Sequence, residues 1–303
     1  MTLRIVIDDA ADAPAELIDA CQIYVVPINV IFGAEEFLSG INIDRAGFYR
    51  IVASIRNENF PKTSQPTPYQ FEQVYRRALA DGADELVVIT VSERLSGTYA
   101  SAVAAAEAVA EEMVVHIFDS QSGSAAQGLM AVEAARMVQQ GATAEQVLEA
   151  LRAMRSKATI FMLIDSLEFA VRSGRVSFLQ YGVASLLNIK PIMTVVDGLI
   201  VPDRRVRTLG KAKQRIVEGA REAVGDLPVM LAAVHANRPE GGNELLEMAR
   251  PCFNIVEAHL LDLALSVAVN LGPGTLGLVA VPLPGGLNRL AAAQGAFLAI
   301  SDR

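Results

Sequence analysis

Short apolar runs alternate with longer amphipathic stretches along the first half of the chain. Leu86-Val87-Val88-Ile89 is a run of strand length, and the Ala-rich residues 100–111 beyond a polar connection predict a helix. Residues 3–7 and 114–118 are further strand-like runs, each followed by polar side chains. Strand–helix alternation of this kind predicts a parallel sheet covered by helices, a Rossmann-like α/β domain.

Capping residues indicate where other helices of this half begin. Asp44 and Thr67 are N-cap candidates for two of them, and a capping box opens a third at Thr143. Between the first two helices, residues 60–68 contain three prolines and three hydroxyl side chains. This composition predicts an ordered loop.

Turn signals become more frequent in the second half. Asp197-Gly198 separates two apolar runs and predicts a hairpin, and further strands are expected over residues 229–235, 254–259 and 276–281. A helix is expected over residues 178–187. Hairpins and longer connections of this type predict an α+β domain with a mainly antiparallel sheet.

This change of character near residue 157 predicts two domains. An N-terminal α/β domain over residues 1–157 would carry the ligand-binding loops, and a C-terminal α+β domain would span residues 158–283. Residues 284–303 are Gly-rich and then Ala-rich, which is compatible with a packed helix or a loose tail. We expect a tail.

Composition narrows the classes of function. The chain has 303 residues and a formal net charge of −8, which disfavours nucleic acid as the main partner. No apolar run reaches the ~18 residues of a membrane span, so stable membrane insertion is not expected. The mean hydropathy of +0.33 therefore indicates a large core or an apolar pocket.

Cysteine and histidine usage favours a cytoplasmic protein without a metal. Cys21 and Cys252 form no CxxC pair, and the N-terminus shows no signal-peptide pattern, so a reducing, cytoplasmic location is the default expectation. His116, His235 and His259 are scattered singly. Since no nucleotide-binding motif is present either, we expect neither a metal nor a cofactor.

The polar connection before residues 100–111 contains a first candidate site, Ser96-Gly97-Thr98. At a helix N-terminus, free backbone N–H groups, the helix dipole and two hydroxyls would converge on a carboxylate or a phosphate. The alternative is purely structural, because Ser and Thr are also the usual N-cap residues and most such triplets only cap a helix.

Five short segments, taken together and in order, are more specific than any one alone. They are Lys62-Thr63-Ser64-Gln65-Pro66, Leu95-Ser96-Gly97-Thr98-Tyr99, Asp119-Ser120, Gly174-Arg175-Val176-Ser177 and Gly272-Pro273-Gly274. From about residue 3 to residue 282, the series resembles the DegV family of bacterial fatty-acid-binding proteins. The resemblance implies a two-domain α/β protein, not itself an enzyme, that holds one long-chain fatty acid between its domains. It also implies a partner, since some members carry the acyl chain for a fatty acid kinase whose separate ATP-using subunit phosphorylates the carboxylate.

Matching the segments position by position gives the expected ligand-binding residues. The resemblance implies that Thr63 and Ser96 supply the hydroxyls that bind the carboxylate, with Arg175 as a neighbour. No catalytic residue is expected. The complete expected set is Thr63, Ser64, Ser96, Gly97, Thr98, Arg175 and Asn270.

Two positions depart from the family pattern. Asn270 stands where the family usually has His, two places before the Gly-Pro-Gly segment, and Asn cannot shuttle a proton near neutral pH. Asp9 stands where the family more often has Ser. A carboxylate there that pointed towards the ligand would weaken binding or raise a pKa.

The chemistry of a fatty acid agrees with such a site. Burying a sixteen-carbon tail, as in palmitate, gains roughly 10 kcal/mol before ordering costs. A carboxylate loses heavily on leaving water unless donors replace the water. Hydroxyls and helix-terminal N–H groups replace this water without adding a positive charge, and they leave a carboxylate oxygen available for transfer.

Two other functions are open from the residues alone. One is an enzyme or binding protein for a phosphorylated small molecule at Ser96-Gly97-Thr98, for which Glu93 and Asp119 are the only plausible general bases. The other is a serine hydrolase that uses Ser96 or Ser120. Neither serine lies in a GxSxG elbow, and no motif places a histidine as its base.

A basic cluster, Arg204, Arg205 and Arg207, precedes a predicted helix over residues 210–224. Such clusters most often face solvent. The alternative is a docking patch for a partner or a phosphate.

Overall fold

The computed structural model describes residues 2–54, 59–176 and 190–283. Over these residues a parallel sheet is followed by a mainly antiparallel one, which confirms the predicted fold class. The strands are β1 (Leu3–Asp8), β2 (Tyr24–Val26), β3 (Asn29–Phe32), β4 (Glu35–Leu38), β5 (Lys62–Ser64), β6 (Glu85–Thr90), β7 (Val114–Asp119), β8 (Thr159–Leu163), β9 (Lys190–Val196), β10 (Leu199–Val206), β11 (Pro228–His235), β12 (Asn254–Asp262) and β13 (Leu276–Pro282). The helices are α1 (Ala15–Ala20), α2 (Arg45–Ser54), α3 (Pro68–Ala80), α4 (Thr98–Ala108), α5 (Ser124–Gln139), α6 (Ala144–Arg155), α7 (Leu167–Ser173), α8 (Leu209–Val224), α9 (Pro239–Ala249) and α10 (Leu265–Leu271).

The first sheet has the strand order β2-β1-β6-β7, and all its pairings are parallel. β6 is buried along nearly its whole length, which is typical of a parallel strand covered on both faces. α3 and α4 pack on one face through Phe71, Tyr75 and Ala102, while α5 and α6 pack on the other. The carboxyl ends of β1, β6 and β7 lie side by side, so the loops that follow them meet at one edge.

The second sheet has the order β10-β9-β8-β13-β11-β12, and only its β11–β12 pairing is parallel. α8 and α9 cover one face, where Ile216 and Leu245 enter the core. The predicted hairpin is confirmed, because β9 and β10 pair around Asp197 and Gly198, whose φ angles are 49° and 77°. Two positive φ angles are what a type I′ turn requires, and an Asp-Gly pair satisfies them.

A third sheet, with the order β4-β3-β5, is not predicted by the sequence. The loop prediction for residues 60–68 is wrong at residues 62–64, which form the edge strand β5 with Thr63 paired to Val30. A strand of three residues is too short to show an alternating pattern, and Pro61 and Pro66 lie close on either side. An edge strand tolerates such flanks, since it forms backbone hydrogen bonds on one side only.

The capping signals of the first half are confirmed. Thr67 and Thr143 each accept a hydrogen bond from the backbone N–H three residues later, and the glutamine there bonds back to the cap. The Asp44 carboxylate accepts a bond of 2.6 Å from a backbone N–H at the start of α2. Side-chain capping of this kind typically stabilises a helix by about 1 kcal/mol.

The second half differs from the sequence predictions in two places. β10 continues to Val206, so Arg204 and Arg205 lie in an edge strand rather than in the connection to α8. α10 lies in an apolar stretch whose periodicity does not distinguish a helix from its surroundings. The predicted helix over residues 178–187 and the tail over residues 284–303 lie outside the described residues. The boundary after residue 157 stays a prediction.

Helix α5 is shared by the two sheets. Residues 124–135 of this helix are all buried, and α5 contacts β1 in the first sheet and β11 and β13 in the second. Gly128 allows a close approach, because a Cβ atom there would lie 2.1 Å from the carbonyl oxygen of Asp12. The main core is therefore continuous, from Ile5 of the first sheet to Val279 of the second.

Gly128→Ala should destabilise the protein by more than about 2 kcal/mol, because the added methyl group meets backbone that no side-chain rotation can move. Urea unfolding followed by circular dichroism measures the change. Gly210→Ala in α8 is the matched control, since no atom of the described residues lies within 4 Å of its added Cβ. The control should be neutral or stabilising by up to ~1 kcal/mol. An unchanged midpoint for Gly128→Ala would contradict the close packing.

Candidate functional site

A cavity lies between the first and second sheets and takes residues from both halves of the chain. Its walls are mainly apolar, and its polar residues come from five different parts of the chain. The apolar lining residues are Ala10, Ile28, Val91, Leu95, Ile160, Met162, Val195, Ile200, Val267 and Leu271. The others are Thr63, Ser64, Gln65, Ser96, Gly123, Ser124, Arg175, Ser266 and Asn270.

Thr63 reaches the cavity from β5. The strand pairing with β3 fixes its backbone, and the side-chain amide of Asn270 donates to its hydroxyl oxygen across 3.4 Å. The same amide nitrogen donates to the carbonyl oxygen of Ser266 at 2.6 Å. Since the Thr63 oxygen accepts this bond, its O–H group remains able to donate into the cavity.

Ser64 also lines the cavity, although its hydroxyl has a structural partner. Its oxygen accepts a hydrogen bond of 3.1 Å from the Asn29 side chain, which in turn accepts one from Gln70 in α3. These bonds tie β5 to β3 and to α3. Ser64 therefore supports the strand that presents Thr63.

Ser96 reaches the cavity from the loop between β6 and α4. Its hydroxyl lies 2.8 Å from the hydroxyl of Thr98, and its oxygen also accepts from the Thr98 backbone N–H at 3.4 Å. Thr98 is buried and does not border the cavity, and neither does Gly97. Gly97 lies against Gln65, and a Cβ there would be 2.6 Å from the Gln65 amide nitrogen. The chain just after β5 and the Ser96 loop are therefore in direct contact.

Arg175 is the cation at the cavity wall. Its guanidinium donates to the carbonyl oxygen of Ser173 at 2.6 Å, and no acidic side chain of the described ranges is paired with it. Gly174 ends α7 in the left-handed conformation, with a φ angle of 71°, and so turns the chain towards the site. An arginine without a carboxylate partner can bind the negative head group of a ligand.

Asp8, at the end of β1, fixes the start of the Ser96 loop. Its carboxylate accepts hydrogen bonds from the backbone N–H groups of Val91 at 2.7 Å and Ala10 at 2.9 Å, and from the side chain of Gln127 at 3.0 Å. Complete burial raises the pKa of this carboxyl group, and the three donors oppose that rise. Asp8 thus joins the ends of β1 and β6 from beneath the cavity.

Two further carboxylates follow β1, and neither lines the cavity. The Asp12 carboxylate accepts from the Ala264 backbone N–H and from the Ser124 hydroxyl, each at 2.5 Å, and burial raises its pKa to about 6. Asp9 bonds to Ser39, and its Oδ2 atom is buried without a partner in the described parts of the chain. Burial raises the pKa of Asp9 to about 7. The Asp9 carboxylate is therefore not a wall of the site.

Sequence reasoning missed several residues of the cavity. Gln65 lies inside one of the five segments that carry the family resemblance, so the sequence could have identified it as a candidate site residue. Ser124 also lines the cavity, and the polar residues between β7 and Ser124 were only a weak indication that it belongs to a site. Ser266 and Val267 gave no signal, because their helix α10 was not recognised.

In the part of the chain that the structure describes, no histidine joins Ser96 at the cavity and no cluster of metal-ligating side chains is found. All three histidines are described, and none lines the cavity with Ser96. His116 lies 2.9 Å from Glu85, the first residue of β6, whereas the Ser96 loop follows the last residue of that strand. Among the described residues, no group of three or more His, Cys, Asp or Glu side chains could hold a metal ion, and no helix is long and apolar enough to cross a membrane.

A parallel-sheet half, a mainly antiparallel half and an apolar cavity between them define a two-domain α/β protein with a ligand-binding type of site. The chain belongs to the DegV family. The family model, described as "Uncharacterised protein, DegV family", matches residues 2–283.

Similar proteins cover nearly the whole chain. Protein DegV of Bacillus subtilis is 32% identical over 280 residues, which are 92% of this chain and 98% of that protein. The crystal structure of DegV from Bacillus subtilis, described as a fatty acid binding protein, has a TM-score of 0.83 and 31% identity and covers 93% of this chain and 99% of its own. A DegV family protein from Thermus thermophilus, described for its fatty acid binding, has a TM-score of 0.85 and 29% identity and covers 93% and 100%.

Asp9→Asn should stabilise the protein at pH 8 by roughly 2–4 kcal/mol and have little effect near pH 4. The pKa of Asp9 is raised to about 7 in the folded state, so its burial cost is fully present above pH 7, where the group is ionised. This cost disappears as pH falls towards the ordinary pKa of 3.8, because the folded protein takes up the proton. Denaturant unfolding at both pH values measures the difference.

The control for this prediction is Asp19→Asn in α1, where the side chain is exposed, so the substitution should change stability little at either pH value. Equal stability of Asp9→Asn and the parent at pH 8 would contradict the burial cost assigned to Asp9.

Proposed function

We propose that this protein binds one long-chain fatty acid in the cavity, with the carboxylate held by Thr63 and Ser96. One observation carries the proposal: an apolar cavity whose lining includes two hydroxyls, on β5 and on the Ser96 loop, and an arginine. Proteins of the same family that are 29% and 31% identical to this chain are described as binding fatty acids, which supports the same ligand class.

The walls suit an alkyl tail. Ile160 and Met162 of β8 contribute one side, while Val267 and Leu271 of α10 contribute another. Each buried methylene gains about 0.8 kcal/mol, so a long chain gains more here than a short one. A cavity with these walls favours a long acyl chain over a small polar ligand.

The polar residues suit a carboxylate. The hydroxyl of Thr63 accepts from Asn270 and can donate to the ligand, and Ser96 can do the same when Thr98 donates to it. Hydrogen bonds to an ionised group are worth about 1.5–3 kcal/mol each. Arg175 adds a positive charge at the wall, and Ser64, Gly97 and Thr98 hold the two hydroxyls in position.

The same arrangement suits a carrier rather than an enzyme. Hydroxyl donors stabilise the carboxylate without a covalent step, and none of the described residues that line the cavity is a histidine that could act as a base. We propose that the protein presents its fatty acid to a separate, ATP-dependent kinase subunit, which forms the acyl phosphate. Asn270 would then orient Thr63, and the proton chemistry would belong to the partner.

A phosphorylated small molecule is the weaker candidate. A phosphate carries up to two negative charges and is usually met by several cations or by a run of N–H groups. Among the described residues, Arg175 is the one cation that lines this cavity, and most other walls are apolar.

Replacing Thr63 by Val and Ser96 by Ala should lower the fatty acid retained on purification by tenfold or more, because two hydrogen bonds to the carboxylate are lost. Native mass spectrometry of the purified protein, followed by solvent extraction, measures occupancy and acyl length. Thr63→Ser is the matched control, since it keeps the hydroxyl, and should retain near-normal occupancy. Full occupancy in the double variant would refute the assignment of these two residues.

Charge reversal of Arg204, Arg205 and Arg207 to Glu should weaken kinase-supported acyl-phosphate formation while leaving lipid retention unchanged. All three side chains are exposed, and they lie in β10 or just after it. The measurement is initial rate against kinase concentration with loaded protein, and Lys211→Glu in α8 serves as a control for a single charge change. An unaltered rate would dismiss this surface as a docking patch.

A further inference from the structure

The tip of the β9–β10 hairpin is held by two side chains of the Ser96 loop. The Ser92 hydroxyl donates to the carbonyl oxygen of Gly198 at 2.8 Å, and this bond is buried. The Arg94 guanidinium donates to the carbonyl oxygen of Asp197 at 2.9 Å, at the surface. Both carbonyl groups at the turn are therefore bonded to the opposite half of the molecule.

Gly198 is fitted closely to this contact. A Cβ atom there would lie 2.4 Å from the Ser92 hydroxyl oxygen, and the φ angle of 77° also favours glycine. A residue that only turned the hairpin would need the second property but not the first. The turn is thus shaped for contact with Ser92.

Ser92 is itself held firmly in the loop that follows β6. Ser92 is completely buried, and its backbone N–H donates to the carbonyl oxygen of Ser122 at 2.8 Å. Its hydroxyl oxygen also accepts from the backbone N–H of Arg94 at 3.3 Å, so the two anchoring residues position each other.

The hairpin itself is peripheral. Among the described strands, β10 lies at the edge and pairs with β9 alone, and Val196 beside the turn is 50% exposed. Yet Val195 and Ile200, which are directly paired across the two strands, both line the cavity. The position of the hairpin tip therefore sets the position of one cavity wall.

We propose that Ser92 and Arg94 form a clasp that keeps the β9–β10 hairpin closed over the bound acyl chain, and that opening of this clasp sets the rate of ligand uptake and release. Ser92 and Arg94 are positioning residues, because they act through the hairpin and not on the carboxylate. The inference about ligand exchange rests on the proposed function, whereas the clasp itself is a property of the free protein.

Loss of either hydrogen bond should speed opening about threefold to tenfold, and loss of both more. The variants are Ser92→Ala, Arg94→Ala and their combination, with Arg94→Lys as the conservative variant that keeps a donor. Stopped-flow fluorescence with a fluorescent long-chain fatty acid measures the association rate and, after addition of excess unlabelled fatty acid, the dissociation rate. Arg204→Ala, on the same hairpin but outside the clasp, is the matched control.

The clasp predicts that both rates rise together, with stoichiometry nearly unchanged and Arg94→Lys close to the parent. A role limited to packing would lower stoichiometry or affinity without raising the association rate, and that result would overturn the inference. Amide hydrogen exchange over residues 194–200 of the ligand-free protein is the second measurement. Faster exchange in the double variant supports the clasp, and unchanged exchange refutes it, whether or not the parent protein binds a fatty acid.

Discussion

Burial of α5 by both sheets is the interaction on which the rest of the structure depends. This helix supplies core contacts to β1 and to β13, so separating the halves would expose its apolar faces on both sides. The packing of α5 between the two sheets therefore resists deformation. Change of shape around the cavity is left to an element at its edge, the hairpin of β9 and β10, which lies at one end of the second sheet.

The polar part of the cavity follows from the same packing. Thr63 is held by a strand pairing, Ser96 by the loop that Asp8 anchors, and Asn270 by α10, whose first turn is bonded to Asp12. Hydroxyl donors on two separate elements, one of them oriented by Asn270, can approach an oxygen from different directions without adding a charge of their own. A buried ionised group is best stabilised by preorganised donors of this sort, since they need no rearrangement when the ligand arrives.

Sequence patterns predicted the regular parts of this molecule better than the short ones. β6 is long enough for its apolar run to be recognised as a strand, and the capping box at Thr143 has a residue pattern that predicts a helix start. β5 has three residues and α10 lies in a uniformly apolar stretch, so their identity depends on tertiary partners that no local pattern shows. The segments containing Thr63 and Ser96 marked candidate residues, but their contact through Gln65 and Gly97 is a matter of three-dimensional packing.

The Oδ2 atom of Asp9, which is buried without a partner among the described residues, has a consequence for the net charge of the protein. With a pKa of about 7, this carboxyl group is in exchange between two protonation states at neutral pH, so a substantial fraction of molecules carries one proton more than the formal count assumes. The mean charge in neutral solution is then less negative than −8. The folded chain therefore buffers protons in a pH range where an ordinary aspartate does not.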